Sequence, residues 1–170
     1  MISRFLLVFI LLGLVVLNFS HQIYFNIFTH SLPYGIYSRV NGFPQKGDFA
    51  ATCLPSEIAH YGIKRNYLEQ GHCDSGSVLV LKVIKGIPGD HYLVKDQILE
   101  LNKHFYPIMS KDSVGRPLKV FYDFNKGVIN QGQYFLLSDF VKNSWDSRYW
   151  GPVHIQFLLK PLFLFESTKT

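Results

Sequence analysis

Apolar and polar positions divide the chain into one long unbroken apolar segment followed by many short runs. From Phe5 to Leu17 every residue is apolar or glycine; Arg4 precedes the run, and formal charge does not return until Arg39. A helix from Phe5 to Phe25 would be ~30 Å long at ~1.5 Å per residue, enough to cross a bilayer core. The pattern predicts an N-terminal transmembrane anchor over residues 1–25. A cleaved secretory signal peptide has a similar apolar length, but Asn18-Phe19-Ser20-His21-Gln22 contains no small-x-small cleavage site. An uncleaved anchor is therefore expected. Its positive end stays in the cytoplasm, which places residues 26–170 outside.

Beyond the anchor the pattern changes to short alternating or continuous apolar runs between turn residues. Tyr34 to Arg39 alternates like a strand leaving a Ser31-Leu32-Pro33-Tyr34-Gly35 turn, and Asn41 to Asp48 is loop chemistry. Phe49 to Leu54 reads as a strand, and Pro55 to Leu68 as a soluble helix opening on Pro55-Ser56-Glu57. Ser77 to Ile84 is an apolar strand interrupted by Lys82, closed by a Pro88-Gly89-Asp90 turn. Strands at His91–Val94 and Gln97–Leu101 follow, joined by Lys95-Asp96. Gly115-Arg116-Pro117 breaks the chain, Gln133 to Leu137 is a further strand, and Val153 to Leu159 is the last. The apolar tail, Pro161 to Phe165, either touches the membrane or closes the core. The expected fold is a mainly β domain of short strands with one N-terminal transmembrane helix and no more than one short soluble helix.

Composition adds weight to this picture. At 170 residues and 48% hydrophobic content, the chain suits one compact domain plus an anchor. Fifteen Phe and ten Tyr supply bulky core material of the kind strands favour. The formal net charge is +5, but the 17 Lys and Arg are scattered, with no nucleic-acid-binding motif among them. Proximity to an anionic lipid surface explains the charge better, and no nucleic-acid partner is expected. Cys53 and Cys73 form an even pair in what should be an oxidising space. A disulfide between them would be worth about 3 kcal/mol in the chain-entropy model; two buried thiols are the alternative. Neither cysteine has a second ligand at a metal-binding spacing, so no metal or cofactor is expected.

The candidate chemistry rests on a serine and a lysine. A serine hydroxyl is a poor nucleophile at neutral pH unless a base takes its proton, and a desolvated neutral lysine can be that base. Ser31 lies a few residues past the predicted bilayer exit, where a membrane-proximal peptide would be presented. Lys82 is the one charge in Val78-Leu79-Val80-Leu81-Lys82-Val83-Ile84. Facing inward, it would lose proton affinity through desolvation; facing solvent on an edge strand, it would be ordinary. His30 is badly placed to serve Ser31, because neighbours on an extended segment point to opposite faces.

Three boxes then resemble the Ser/Lys signal peptidases, and most closely their TraF-type conjugative-transfer branch. Ser31-Leu32-Pro33 matches the nucleophile motif, with Leu32 where the type I enzymes typically have methionine. Lys82 stands four residues before Gly86-Ile87-Pro88-Gly89-Asp90, the offset of the family's general base, whereas Lys85 does not. Asn143-Ser144-Trp145-Asp146-Ser147-Arg148-Tyr149-Trp150-Gly151 resembles the family's third box. The TraF-type character also rests on Cys53-Leu54-Pro55, Gly71-His72-Cys73 and Gly115-Arg116-Pro117-Leu118. The resemblance implies Ser31 as nucleophile and Lys82 as base, with Ser144 bonding the lysine amine and Asp146 and Arg148 pairing to hold the loop. It also implies the Ser31 amide as an oxyanion donor and Thr29 as a second.

The implied function is that of a membrane-anchored serine endopeptidase acting on a pilin precursor or another membrane-proximal peptide. Water would resolve the acyl-enzyme to a linear product, an amine to a circular one. The implied setting is the bacterial inner membrane, with the catalytic domain periplasmic and conjugative secretion-channel proteins as neighbours. A general type I signal peptidase is one alternative. A catalytically silent assembly factor is another, and intact Ser31 and Lys82 count against it.

Overall fold

The computed structural model describes residues 8–9, 23–27, 29–122 and 126–165. Most of the predicted anchor lies outside the described residues, among which no helix is long and apolar enough to cross a membrane. The predicted anchor helix and the structure differ at its end: Ile23–Asn26 is a strand, β1. Ile23, Tyr24 and Phe25 are β-branched or aromatic, and pairing with the next strand overrides continuation of a helix there.

Strands β2 (Gly35–Val40) and β3 (Phe49–Thr52) lead to helix α1 (Ser56–Lys64). Strands β4 (Val80–Gly86), β5 (His91–Lys95), β6 (Ile98–Leu101), β7 (His104–Pro107), β8 (Lys126–Val128) and β9 (Gln133–Leu137) follow. Helix α2 (Ser147–Trp150) is a single turn, and β10 (Val153–His154) and β11 (Phe157–Leu164) complete the chain. The fold is mainly β, as the pattern predicts, and beyond β1 the described residues hold two short helices rather than one. A seven-stranded antiparallel sheet runs β1-β2-β11-β3-β4-β9-β10, and a four-stranded one runs β7-β6-β5-β8.

The predicted last strand, Val153 to Leu159, is two strands. The chain leaves β9 after His154 and joins β3 from Phe157, with Gln156 N–H donating to Ala51 O at 2.9 Å across the step. The apolar tail is neither loose nor buried but the far half of β11, paired to β2. Pro161 is tolerated because β3 pairs β11 only through Leu159, so on that side no partner needs its missing N–H.

The main core joins α1, α2 and both sheets through Ile58, Val80, Ile84, Leu99, Leu136 and Tyr149. A second, smaller core of Leu32, Tyr37, Ala51, Val83 and Leu159 sits beneath the β1–β2 connection. Cys53, one residue past β3, forms a disulfide with Cys73, with Cα atoms 5.7 Å apart. The two-thiol alternative is set aside, and among the described residues no metal-ligating cluster occurs.

Candidate active site

Ser31 lies in the β1–β2 connection, on a loop seated by its neighbours. Leu32 is 1% exposed in the smaller core, so its apolar side chain anchors the residue beside the serine. Tyr37 O–H donates to Pro33 O at 2.5 Å from the first turns of β2. Gly35 opens β2 against β11: a Cβ there would lie 2.4 Å from Phe163 O. The glycine of this motif is therefore required by backbone approach rather than by a turn.

Lys82 arrives from β4, paired to Ala50 of β3. Period-two alternation puts it on the same side of the strand as Val80 and Ile84, and it is 4% exposed. The inward-facing alternative is the one the structure adopts. Lys82 Nζ donates to Ser31 Oγ across 51 residues of sequence. Burial lowers its pKa from 10.5 to about 8; the nearby Asp146 carboxylate opposes that fall and the Arg148 guanidinium assists it. Lys85, three residues further along β4, pairs with Asp139 at the surface, as expected of a strand-end charge.

Both residues line one cleft of about 1060 Å³, whose walls include Leu79, Leu81, Ile63 and Trp145. A smaller cleft of about 670 Å³ lies at the disulfide and contains neither member of the pair. The larger cleft mixes aliphatic walls such as Val78, Leu79, Val80 and Leu81 with hydrogen-bonding side chains such as Asn66, Glu69 and Gln70.

The third box lies behind the pair. Arg148 Nε and Nη2 donate to Asp146 Oδ1 and Oδ2 at 2.8 and 2.9 Å, a bidentate pair in which Asp146 is 0% exposed. Arg148 also donates to the carbonyls of Pro107, Lys142 and Ser144. Asp146 caps α2 by accepting from Arg148 N–H at 3.1 Å and also accepts from Ser138 N–H at 3.3 Å. The expected pairing is present and fully partnered, which a buried ion pair requires.

Two expected contacts differ. Ser144 lines the cleft with Lys82, but its buried Oγ has no hydrogen-bond partner among the described residues. The box turns into α2 just beyond it, and its carbonyl rather than its hydroxyl is what Arg148 holds. Thr29 also lines the cleft, yet its single O–H donates to Asn26 Oδ1 at 3.1 Å rather than into open space. His30 bonds Tyr34 O–H through Nδ1 at 2.8 Å and does not serve Ser31; the local reason is a turn, not an extended segment.

Sequence reasoning missed Asn26 and Ser138. Asn26 is 3% exposed and faces the serine loop; a lone amide inside Ile23-Tyr24-Phe25-Asn26-Ile27 was the available signal. Ser138 O–H donates to Ser31 O at 3.1 Å, across 107 residues, and no local pattern marks it.

The family model described as signal peptidase, peptidase S26, matches residues 2–159. The chain belongs to that family. Among curated relatives, a plasmid transfer protein TraF of Escherichia coli is 27% identical over 141 residues, covering 79% of each chain. A conjugal transfer protein TraF of Agrobacterium tumefaciens is 31% identical over 123 residues, 70% of this chain and 69% of the relative. The resemblance to the TraF-type branch of the signal peptidases is thereby established. A signal peptidase I of Enterococcus faecalis overlays with a TM-score of 0.38 at 22% identity, covering 70% of this chain and 98% of that one. That overlay is too loose to carry a structural argument.

Proposed function

We propose that the protein is a membrane-anchored serine endopeptidase that uses a Ser31–Lys82 dyad to process a pilin precursor for conjugative transfer. One observation carries the assignment: a buried lysine of lowered proton affinity donates to a serine hydroxyl on the wall of a cleft of about 1060 Å³. Loss of one proton leaves the Nζ lone pair facing Ser31 Oγ. The neutral amine takes the hydroxyl proton as Oγ attacks a peptide carbonyl carbon, and the ammonium then protonates the leaving nitrogen. The product is an acyl ester on Ser31. Water converts it to a carboxylate and a free hydroxyl; an amine of the same peptide converts it to a new peptide bond and a circular product.

In this scheme the Ser31 backbone N–H is the first oxyanion donor. Thr29 is the second, and its O–H must leave Asn26 to serve. Asp146 and Arg148 support the site by fixing the segment behind Lys82, and Ser144 occupies the cleft wall beside it. The conjugative setting is carried over from the relatives, plasmid and conjugal transfer proteins by name. The apolar segment before β1 would anchor the chain in the bacterial inner membrane with its N-terminus cytoplasmic. The cleft then faces membrane-proximal peptide in the periplasm, near conjugative secretion-channel proteins, and the Cys53–Cys73 disulfide agrees with that space.

Mass spectrometry of a co-expressed candidate pilin tests this. The pilin should be shortened with the wild-type chain and unchanged with Ser31→Ala or Lys82→Ala. A shortened product that also lacks one water would be the circular form. Full processing by either variant would sink the dyad.

A further inference from the structure

Asn26 ends β1 opposite Gly35, the first residue of β2, so the loop that bears Ser31 springs from this pair. The amide side chain reaches into that loop rather than out of it. Asn26 Nδ2 donates to Thr29 O at 3.1 Å, Leu32 O at 3.0 Å and Pro33 O at 3.0 Å, two hydrogens shared among three carbonyls. Its Oδ1 accepts from Thr29 N–H at 3.4 Å and Thr29 O–H at 3.1 Å. Carbonyls on both sides of Ser31 are therefore tied to one buried side chain.

The carbonyl of Ser31 itself is held from another element. Ser138, directly after β9, donates its O–H to Ser31 O at 3.1 Å and accepts from Phe140 N–H and Val141 N–H at 3.2 and 3.3 Å. Ser138 N–H donates in turn to Asp146 Oδ2. A continuous path of hydrogen bonds thus runs from the Asp146–Arg148 pair to the nucleophile's own backbone.

We propose that Asn26 and Ser138 form a two-sided clamp that positions the Ser31 side chain against Lys82. Neither touches the reacting atoms; both are positioning residues, and the inference rests on the Ser31–Lys82 reading. Near-attack geometry is sensitive to displacements of about 1 Å, which a loop freed of these bonds would sample. The alternative is that the bonds hold up the fold and nothing more.

A readout that needs no substrate separates these. In the full-length chain carrying Ser31→Cys, iodoacetamide alkylates the thiolate, forming a thioether and releasing iodide. One added group per chain, counted by mass, confirms that the disulfide cysteines are untouched. A thiol held beside the Lys82 ammonium ionises below the ordinary value of about 8.5, so the alkylation-against-pH profile reports the contact. Lys82→Ala should move the profile up toward the free-thiol value. Adding Asn26→Ala should move it the same way, with alkylation at pH 7 falling roughly tenfold for a shift of one unit. Ser138→Ala should act in the same direction and is the deciding variant if Asn26→Ala does not fold by circular dichroism. A profile moved by Lys82→Ala but by neither clamp variant overturns the clamp and leaves the dyad standing. A profile that Lys82→Ala does not move overturns both.

Discussion

Lys82 carries its amine into a place water barely reaches, and its proton affinity falls as a result. In the unfolded chain the same group has its ordinary value near 10.5. Below about pH 8 both states hold the proton, and the folded state bears the full desolvation cost. Between about 8 and 10.5 the unfolded state binds the proton and the folded state does not, so Lys82's destabilisation is relieved as pH rises. Lys82→Met should therefore stabilise the protein at pH 7, by up to about 3 kcal/mol, while abolishing peptidase activity. The gain should shrink toward pH 10. Denaturant midpoints of both proteins at the two pH values measure it. A gain independent of pH would mean that folding leaves the lysine's proton affinity unchanged. Under the proposed mechanism, in which the neutral amine is the base, activity should rise through pH 8 and level off above it.

At the level of elements, the loop that bears Ser31 depends on how closely β11 approaches β2. An alanine Cβ at position 35 would meet Phe163 O at 2.4 Å, and that oxygen belongs to strand backbone paired with β2 itself. β2 cannot yield there without disturbing β1, its partner on the other side. Gly35→Ala should cost about 1–3 kcal/mol by overpacking and lower activity beyond its effect on folded fraction, because residue 35 is the base of the serine loop. Gly42→Ala is the control: its nearest contact would be Leu158 Cδ1 at 3.8 Å, an ordinary distance. Equal thermal midpoints for the two variants would remove the argument. Elements with strong local signals were legible in the sequence. Gln133–Leu137 is a strand over the predicted residues, and α1 falls within Pro55–Leu68. The hairpin of β5 and β6 was found with its turn one residue off, at Asp96 and Gln97, both of positive φ. The β6–β7 turn was missed because Asn102 and Lys103 adopt positive φ without a glycine to announce it. Helix α2 has four residues, too few for a periodic pattern. Lys82 was legible as a lone charge in an apolar strand. Asn26 and Ser138 were not, since their role lies in bonds to a loop that only the fold brings to them.

For the whole molecule, the disulfide and the Ser31–Lys82 contact line two different clefts that share Val78 and Leu79. The chain from α1 to β4 forms a wall of the larger cleft that includes Leu68, Glu69 and Val78, and Cys73 lies between these residues in the same segment. That segment is also folded on itself: Val78 N–H donates to Glu69 O at 3.1 Å, Gly71 N–H to Gly76 O at 3.0 Å and Cys73 N–H to Ser77 O at 2.9 Å. The Ser31–Lys82 contact depends on different bonds, the β3–β4 ladder under Lys82 and the β1–β2 pairing at the base of the Ser31 loop. Removing the cross-link should therefore loosen the wall without separating Ser31 from Lys82. The closed loop spans 20 residues, so replacing both cysteines with serine should cost about 3 kcal/mol. For a chain of this size that lowers the melting temperature by roughly 6–12 °C. Peptide binding should weaken as the wall moves, raising KM, while kcat and its pH midpoint stay near those of the parent. A fall in kcat at unchanged KM would instead tie the disulfide to the geometry of the dyad, and the two halves of the site would then have to be treated as one.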